Sequence, residues 1–497
     1  GRQDAAAPPA DEPRAAPVSR YVPAFATVEA AVKRRSVEGR SFAITADGRG
    51  VAAHLAGLLE AAGARAQVIA SADELAPVDG LLHLAPLAAE PDGALRSLFS
   101  LAKRATQLDT KWLLAATGLG GAFGLAAGPA LPTASVGFAG GGVSGLLKSV
   151  AKEAPALRVR AVDLRPDDDP EALARHLLAE LTADDDHLEV GYVDGVRHTM
   201  SMVPAPPPAA DAGAGVHLDE RSVVLITGGA RGITARIAVA MATRFRCRLA
   251  PVGRPTAAAD EDPALQGAED APALRRALLA MANGAGPTTP AFIEAEVARV
   301  LAAREIRETL AAIRAAGGTV TYHAADVRDE AALRAVIADV RRRHGAIDGV
   351  VHGAGLIEDK LLRDKSPESF DRVVGTKLDG ARVLAEALAP EARFFVLFSS
   401  VSGAFGNKGQ TDYAAANDAL DKLAHHLHRT VPGRVLSINW GPWRGVGMVR
   451  PELEREYTRR GIGLIAPEQG VSRFFEELLT GREPQVVLTA TAPEAWA

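Results

Sequence analysis

The chain has 497 residues, 47% of them hydrophobic and 24% charged, with a net charge of −5. That length holds two or three domains, the composition is that of a globular α/β protein, and the charge balance excludes an electrostatic nucleic-acid surface. A single cysteine, Cys247, excludes an internal disulfide and fits a reducing, cytoplasmic compartment, and no Cys/His cluster has metal-ligand spacing, so no metal is expected.

The first 20 residues are rich in Ala, Pro and charge, and a linker is expected over 1–25. The chain starts with Gly rather than Met and shows no signal-peptide pattern, as expected of a piece cut from a longer polypeptide. From about Ser41 the pattern becomes α/β. Strands are expected at 79–87, 111–118 and 157–164, with helices at Val143 to Lys152 and Glu171 to Leu181. Trp112 to Leu147 carries no charge, but its ten glycines and two prolines break it too often for a membrane span. Residues 203–215, VPAPPPAADAGAG, mark a boundary, so the first unit is assigned to 26–203 and a linker to 204–220.

The second unit, 221–492, repeats the first. ITADGRGV (44–51) aligns with ITGGARGI (226–233), and VDGLLHLAP (78–86) with IDGVVHGAG (347–355). WLLAAT (112–117) aligns with FVLFSS (395–400), and LRVRAVDL (157–164) with GRVLSINW (433–440). Aligned strands in one order argue for two copies of one Rossmann-like unit. The copies differ where chemistry would occur: Gly228 becomes Ala46, and Ser399-Ser400 become Ala116-Thr117. The first copy is expected to have kept the packing and lost the site.

In the second unit, SVVLITGGARGIT (222–234) reads as strand, Gly-rich turn and helix start. Thr227, Gly228 and Gly229 make the turn; Arg231, Gly232 and Ile233 lead into the helix, whose N-terminus favours a pyrophosphate. Thr234 stands where a third glycine would ease helix–strand packing. The next strand ends in Gly253-Arg254, and a cation there pairs with a 2′-phosphate, which favours NADPH over NADH. The stretch 256–316 is longer than a crossover needs; Ala291 to Ala316 reads as a helix.

Phe394 to Phe398 is a near-continuous apolar run, read as a buried parallel strand that ends at Ser399-Ser400. A helix follows in which Tyr413 and Asn417 share a face, with Ala416, Leu420, Leu423 and Leu427 as its packing stripe. A hydroxyl at a strand's carboxyl end, with a phenol on the next helix, suits protonation of a carbonyl oxygen. His425, His426 and His428, further along, are expected on a solvated face. Lys360, Arg363 and Lys365, interrupted by Asp359 and Asp364, are expected to form a mixed-charge surface.

The segment Phe394 to Trp443 resembles the active-site segment of short-chain dehydrogenase/reductases, most closely that of polyketide synthase ketoreductase domains. That resemblance covers nearly the whole chain and implies two Rossmann-like subdomains, the first truncated and non-catalytic. In most short-chain reductases a Lys follows the Tyr by four residues; here Asn417 does, and the Lys is Lys377 in VVGTKLDGARVL. This exchange marks the synthase ketoreductases and implies a tetrad of Tyr413, Ser400, Lys377 and Asn417. A Tyr with a pKa of about 10 is a weak acid at neutral pH, and a nearby ammonium is expected to lower it. Ser400 would hydrogen-bond the substrate oxygen, and Asn417 would hold the Lys or a water leading to it. Asp326-Val327 matches the family's adenine-contacting position, and Gly353-Ala354-Gly355 its backbone approach to the cofactor. Ile357-Glu358-Asp359 resembles the Leu-Asp-Asp signature of B-type enzymes, and Phe405 stands where A-type enzymes carry Trp; both imply a (3R)-hydroxy product. The insert resembles that of polyunsaturated fatty acid synthase ketoreductases.

The resemblance implies NADPH-dependent reduction of a β-ketoacyl thioester carried on an acyl carrier protein, within a larger synthase. Two alternatives are a free-standing reductase of the same superfamily and a cofactor-binding scaffold without turnover. The degenerate first copy argues against the former and the tetrad against the latter.

Overall fold

A computed structural model describes residues 17–88, 93–125, 140–209, 215–228, 230–254, 261–282, 289–447 and 451–496. The first half runs β1 (Ser19–Thr27), β2 (Ser41–Thr45), α1 (Val51–Ala61), β3 (Arg65–Ile69), β4 (Gly80–His83), α2 (Ala94–Gln107) and β5 (Trp112–Thr117). It continues through α3 (Val143–Glu153), β6 (Arg158–Asp163), α4 (Pro170–Thr182), β7 (Glu189–Val193) and β8 (Val196–Pro204). The second half opens with β9 (Val223–Thr227), α5 (Gly232–Phe245), β10 (Arg248–Gly253), α6 (Ala271–Ala282) and α7 (Pro290–Ala315). Then come β11 (Thr319–Val320), β12 (His323–Ala324), α8 (Glu330–His344), β13 (Gly349–His352), α9 (Pro367–Leu388), β14 (Phe394–Ser400) and α10 (Val401–Phe405). The chain closes with α11 (Thr411–Thr430), β15 (Arg434–Trp440), α12 (Pro451–Arg459), α13 (Pro467–Leu479) and β16 (Gln485–Thr489).

Local chemistry sets many of these boundaries. Asp169, Thr289, Asp329 and Ser366 cap α4, α7, α8 and α9 by accepting a backbone N–H, and three of those helices start with Pro. Strands β9, β13, β14 and β15 are buried on both faces, which is why they read as continuous apolar runs rather than alternations.

These strands join one sheet, in the order β11-β10-β9-β13-β14-β15-β16-β1-β8-β7-β6-β5-β4-β2-β3, with β12 beside β10. Strands β2 to β7 and β9 to β16 form two doubly wound parallel arrays, joined through the antiparallel strands β8 and β1; among the described residues the first array lacks the outermost strand of the second, so it is a truncated copy. Equivalent strands occupy equivalent places, as the sequence repeat requires. A buried Thr–His pair recurs with it: Thr45 with His83 in the first half (3.3 Å) and Thr227 with His352 in the second (2.8 Å).

The N-terminal linker expected over 1–25 needs correction at its end. β1 begins at Ser19 and is the seam between the halves, antiparallel to β16 on one side and β8 on the other. Its Ala- and Pro-containing sequence disguised a central strand, because Pro23 breaks the pattern of a hydrogen-bonded ladder. The uncharged stretch supplies β5 and α3; its residues 126–139 lie outside those described. Among the described residues no helix is long and apolar enough to cross a membrane.

The second junction is between helices. α3 packs on α11, and Gly142 and Gly145 make that approach possible. A Cβ on Gly145 would lie 2.4 Å from the Ala414 carbonyl oxygen, and one on Gly142 2.5 Å from that of Ala415. The solvated face expected for His425 and His426 is corrected here. Both are buried, because α11 is covered by the sheet on one side and α3 on another. His425 Nε2 meets Gln485 Oε1 at 3.1 Å, and burial pushes its pKa down to about 3, so the ring is neutral.

Gly145→Val tests the closeness of this junction. It should lower unfolding stability by at least the ~1–3 kcal/mol typical of overpacking, measured by urea denaturation. Gly57→Ala, where a Cβ meets nothing within 4 Å, is the control and should not destabilise. Equal behaviour of the two variants would refute the close approach.

Candidate active site

The carboxyl ends of β9, β10, β13 and β14 open into a cleft of about 720 Å³, the place where doubly wound sheets bind ligands. Ser400 ends β14 and borders the cleft; its hydroxyl also accepts the Ser402 N–H (3.2 Å), capping α10. Tyr413 borders it from the first turn of α11, and Lys377 from the middle of α9. The Lys377 ammonium lies 5.6 Å from the Tyr413 ring centroid and donates to the Phe398 carbonyl at 2.7 Å. Asn417 is fully buried one turn below Tyr413. Its amide donates to the Tyr413 carbonyl (2.7 Å), while its Oδ1 has no partner among the described residues.

Electrostatics here depart from the expectation. Burial pushes the Tyr413 pKa up to about 12, against hydrogen bonds from Asn417 and Ser400 that pull it down. Burial also brings Lys377 down to about 8, with Asp421 opposing. The expected lowering of the tyrosine is therefore corrected to a rise: burial of the phenol dominates, and burial also favours the neutral form of Lys377.

A buried polar network fixes this geometry. Asn439 Nδ2 donates to Ser400 O (3.0 Å), Ser399 Oγ (2.9 Å) and Asp421 Oδ2 (2.7 Å); Ser399 Oγ donates to Asn417 O (3.1 Å). β14 and α11 are thus tied to each other and to β15. On the other flank, Thr227 donates to His352 Nδ1, and His352 Nε2 donates to the Lys377 carbonyl (2.9 Å). Burial, with Lys377 adding, pushes His352 down to about 3, so its neutral ring links the Gly-rich turn to the lysine's helix.

Gly228, Arg231, Gly232, Ile233, Arg254, Asp326, Val327, Gly353, Ala354, Gly355 and Ile357 all border the cleft. Thr227 lies beneath it, and Gly229 falls outside the described residues. The Asp326 carboxylate is held low chiefly by its hydrogen bond with Arg328 (2.7 Å). Thr234 fits although it is not Gly: its methyl packs over Gly228 and Gly353, 3.1 Å and 2.3 Å from where their Cβ atoms would stand. A dinucleotide fits this cradle. Gly232 has a φ of 57°, a Cβ on it would meet the Gly447 backbone at 3.0 Å, and a carboxylate, that of Glu305, already stands at its N–H (2.8 Å). In the first half the equivalent position is closed by the chain itself: buried Asp47 accepts from the N–H groups of Arg49, Val51 and Ala52 at 2.9–3.1 Å.

The 357–359 loop is anchored by residues that the sequence did not single out. Glu358 binds Ser369 (2.6 Å) and Arg372 (2.8 and 2.9 Å), and Arg372 above all holds its carboxyl at about 2. Asp359 accepts from Gln410 (3.2 Å), which borders the cleft. Phe405 packs against the buried cluster that includes Val401, Ala404 and Ile462. Lys365, expected on a solvated surface, is corrected: it is fully buried. It bonds Asp412 (2.6 Å) and the Glu358 carbonyl (2.7 Å), joining the loop to the residue before Tyr413. Sequence alone places it in a run of mixed charge; only the fold shows that α11 carries its counter-ion.

Residues 222–445 match the family model described as the KR domain. One polypeptide of a polyunsaturated fatty acid synthase, from Thraustochytrium sp., is 33% identical over 362 residues, 70% of this chain and 13% of that protein. The polyketide synthase PksN of Bacillus subtilis is 35% identical over 170 residues, 33% of this chain and 3% of that one. The chain thus spans a small part of these relatives. In fold, it resembles the ketoreductase from the first module of phoslactomycin biosynthesis in Streptomyces sp. HK803. The TM-score is 0.72 at 23% identity, over 96% of this chain and 95% of that one.

Removing the Lys365 ammonium should expose its anchoring role. Lys365→Met leaves Asp412 buried without its counter-ion and should cost about 3–5 kcal/mol, read by chemical denaturation. An effect below about 1 kcal/mol, as for a surface pair, would refute the buried assignment.

Proposed function

We propose that the chain, whose residues 222–445 match the KR domain family, reduces a β-ketoacyl thioester to the β-hydroxyacyl thioester. The reductant is NADPH, and the acyl chain arrives on the phosphopantetheine arm of an acyl carrier protein within a larger cytoplasmic synthase. The observation that carries this reading is Ser400 and Tyr413 bordering one cleft with the buried Lys377 ammonium behind the phenol ring.

When bound, the reduced nicotinamide supplies the hydride. The Ser400 hydroxyl donates to the ketone oxygen and stabilises the charge growing there. The Tyr413 hydroxyl gives that oxygen its proton. The Lys377 ammonium stabilises the phenolate left behind, and the Asn417 Oδ1 is the acceptor that a proton-returning water would use. Thr227, Gly228, Gly229, Gly232 and Ile233 would hold the pyrophosphate, and Gly353, Ala354 and Gly355 the nearby ribose. Asp326 and Val327 would border the adenine. Arg254, exposed at the cleft, and Arg231 favour the 2′-phosphate of NADPH. The (3R) product is inferred from Ile357, Glu358, Asp359 and Phe405. The Asp359–Gln410 hydrogen bond supports it by bracing the loop beside the cleft.

The test is NADPH consumption with a β-ketoacyl thioester, free and carrier-bound, with NADH in parallel. Turnover should prefer NADPH, and Tyr413→Phe should lower it by ~10²–10⁴-fold. NADPH binding without turnover, even of the carrier-bound substrate, would sink the reading in favour of a scaffold. The product's configuration tests the stereochemical inference.

The pH profile gives a second check. Lys377 has a pKa of about 8; its ammonium is present below that pH and lost above it. The turnover rate should therefore fall as pH rises through about 8, and Lys377→Met should flatten that limb. A limb unchanged in the variant would remove Lys377 from the mechanism.

A further inference from the structure

The insert's long helix, α7, forms a wall of the cofactor cleft. Ala295, Ala298, Arg299, Ala302 and Glu305 border the cleft, and their spacing puts them on one face. The rest of the helix is fixed at both ends. Ile293, Val297 and Val300 close a small core with Leu265, Leu274 and Leu278. Ile306, Leu310 and Ile313 join the main core beside Ile237, Ala238 and Met241 of α5. Arg304 adds bonds to the Leu265 (2.9 Å) and Ala268 (2.5 Å) carbonyls.

This anchoring delivers the Glu305 carboxylate to the first turn of α5. Oε1 accepts the Gly232 N–H at 2.8 Å, and Oε2 accepts Arg231 Nε at 2.7 Å. The Gly232 N–H is one of the helix-start donors without an intrahelical partner, the kind that phosphates take. The Arg231 and Glu305 side chains remain 44% and 40% exposed, so the contact is weak and the carboxylate can swing into water. Asp47 in the first half is the opposite case. It is 2% exposed and held by three amides of its own turn.

We propose that Glu305 is an exchangeable internal anion of the cofactor site, holding the Arg231–Gly232 turn until the dinucleotide's pyrophosphate displaces it. The insert thereby sets cofactor affinity. The proposal rests on the dinucleotide reading above and deepens it.

Calorimetric titration of the full chain tests it, with wild type, Glu305→Gln and Glu305→Ala against NADPH and against adenosine 2′-phosphate, which has no pyrophosphate. Both variants should bind NADPH about five- to tenfold tighter than wild type, from loss of a competing charge. Adenosine 2′-phosphate, which meets Arg231 but has no pyrophosphate for the Gly232 N–H, should gain less than NADPH does. Equal or weaker NADPH binding in both variants overturns the exchange, as does equal tightening of adenosine 2′-phosphate. A wild type that binds neither ligand overturns the dinucleotide reading and the exchange with it.

Discussion

The site depends on how closely α3 approaches α11. Two glycines bring the helices into backbone contact, and the Gly145 N–H then donates to Asp418 at 2.9 Å. Asp418 is fully buried and also faces Lys422 at 3.4 Å. An uncompensated charge there would be costly, so the register of the two helices is set by electrostatics as well as by sterics. α11 carries Tyr413 at its start. The half whose own turn is closed therefore holds the proposed proton donor of the other half in place.

Most of the architecture was legible because parallel strands buried on both faces leave apolar runs. The aligned stretches from 44–51 to 433–440 were enough to place both halves and their order. The placing of Ser400, Tyr413 and Lys377 at one cleft, with Asn417 buried a turn below Tyr413, was legible from residue types and from the exchange of Lys and Asn. What escaped was set by burial from a second direction. His425, His426 and Lys365 sit in polar sequence, and residue type alone assigns them to water. They are dry because α3 and the 357–359 loop cover faces that a single helix would leave exposed. β1 escaped for a different reason: Pro23 breaks its local pattern, and its partners lie at the far ends of both halves. The direction of the Tyr413 pKa is set by burial, which sequence does not record, rather than by the nearness of Lys377, which it does.

The duplicated turn shows how one backbone can keep or lose a binding site. Both halves retain the buried Thr–His pair beneath the turn, so the scaffold is common. In the first half a carboxylate from within the turn satisfies the helix start, two to five residues away along the chain. In the second that role falls to a side chain 73 residues distant, on a separate helix, and half in water. Satisfaction from within is permanent, whereas satisfaction from a neighbouring element leaves the amides available to a competitor.

The seam strand also orders events during synthesis. β1 precedes the rest of the sheet along the chain, and it gains β8 only when synthesis has reached residue 204. Its other edge waits for β16, whose register runs to Thr489 opposite Ser19. While the second half is being translated, β1 therefore presents a row of unpaired backbone groups, the kind of edge that recruits foreign strands. Pro23 and Arg20 lie on that strand, and a missing donor and a charge both discourage intermolecular pairing. The features that hid the strand from pattern reading are those that protect the nascent chain.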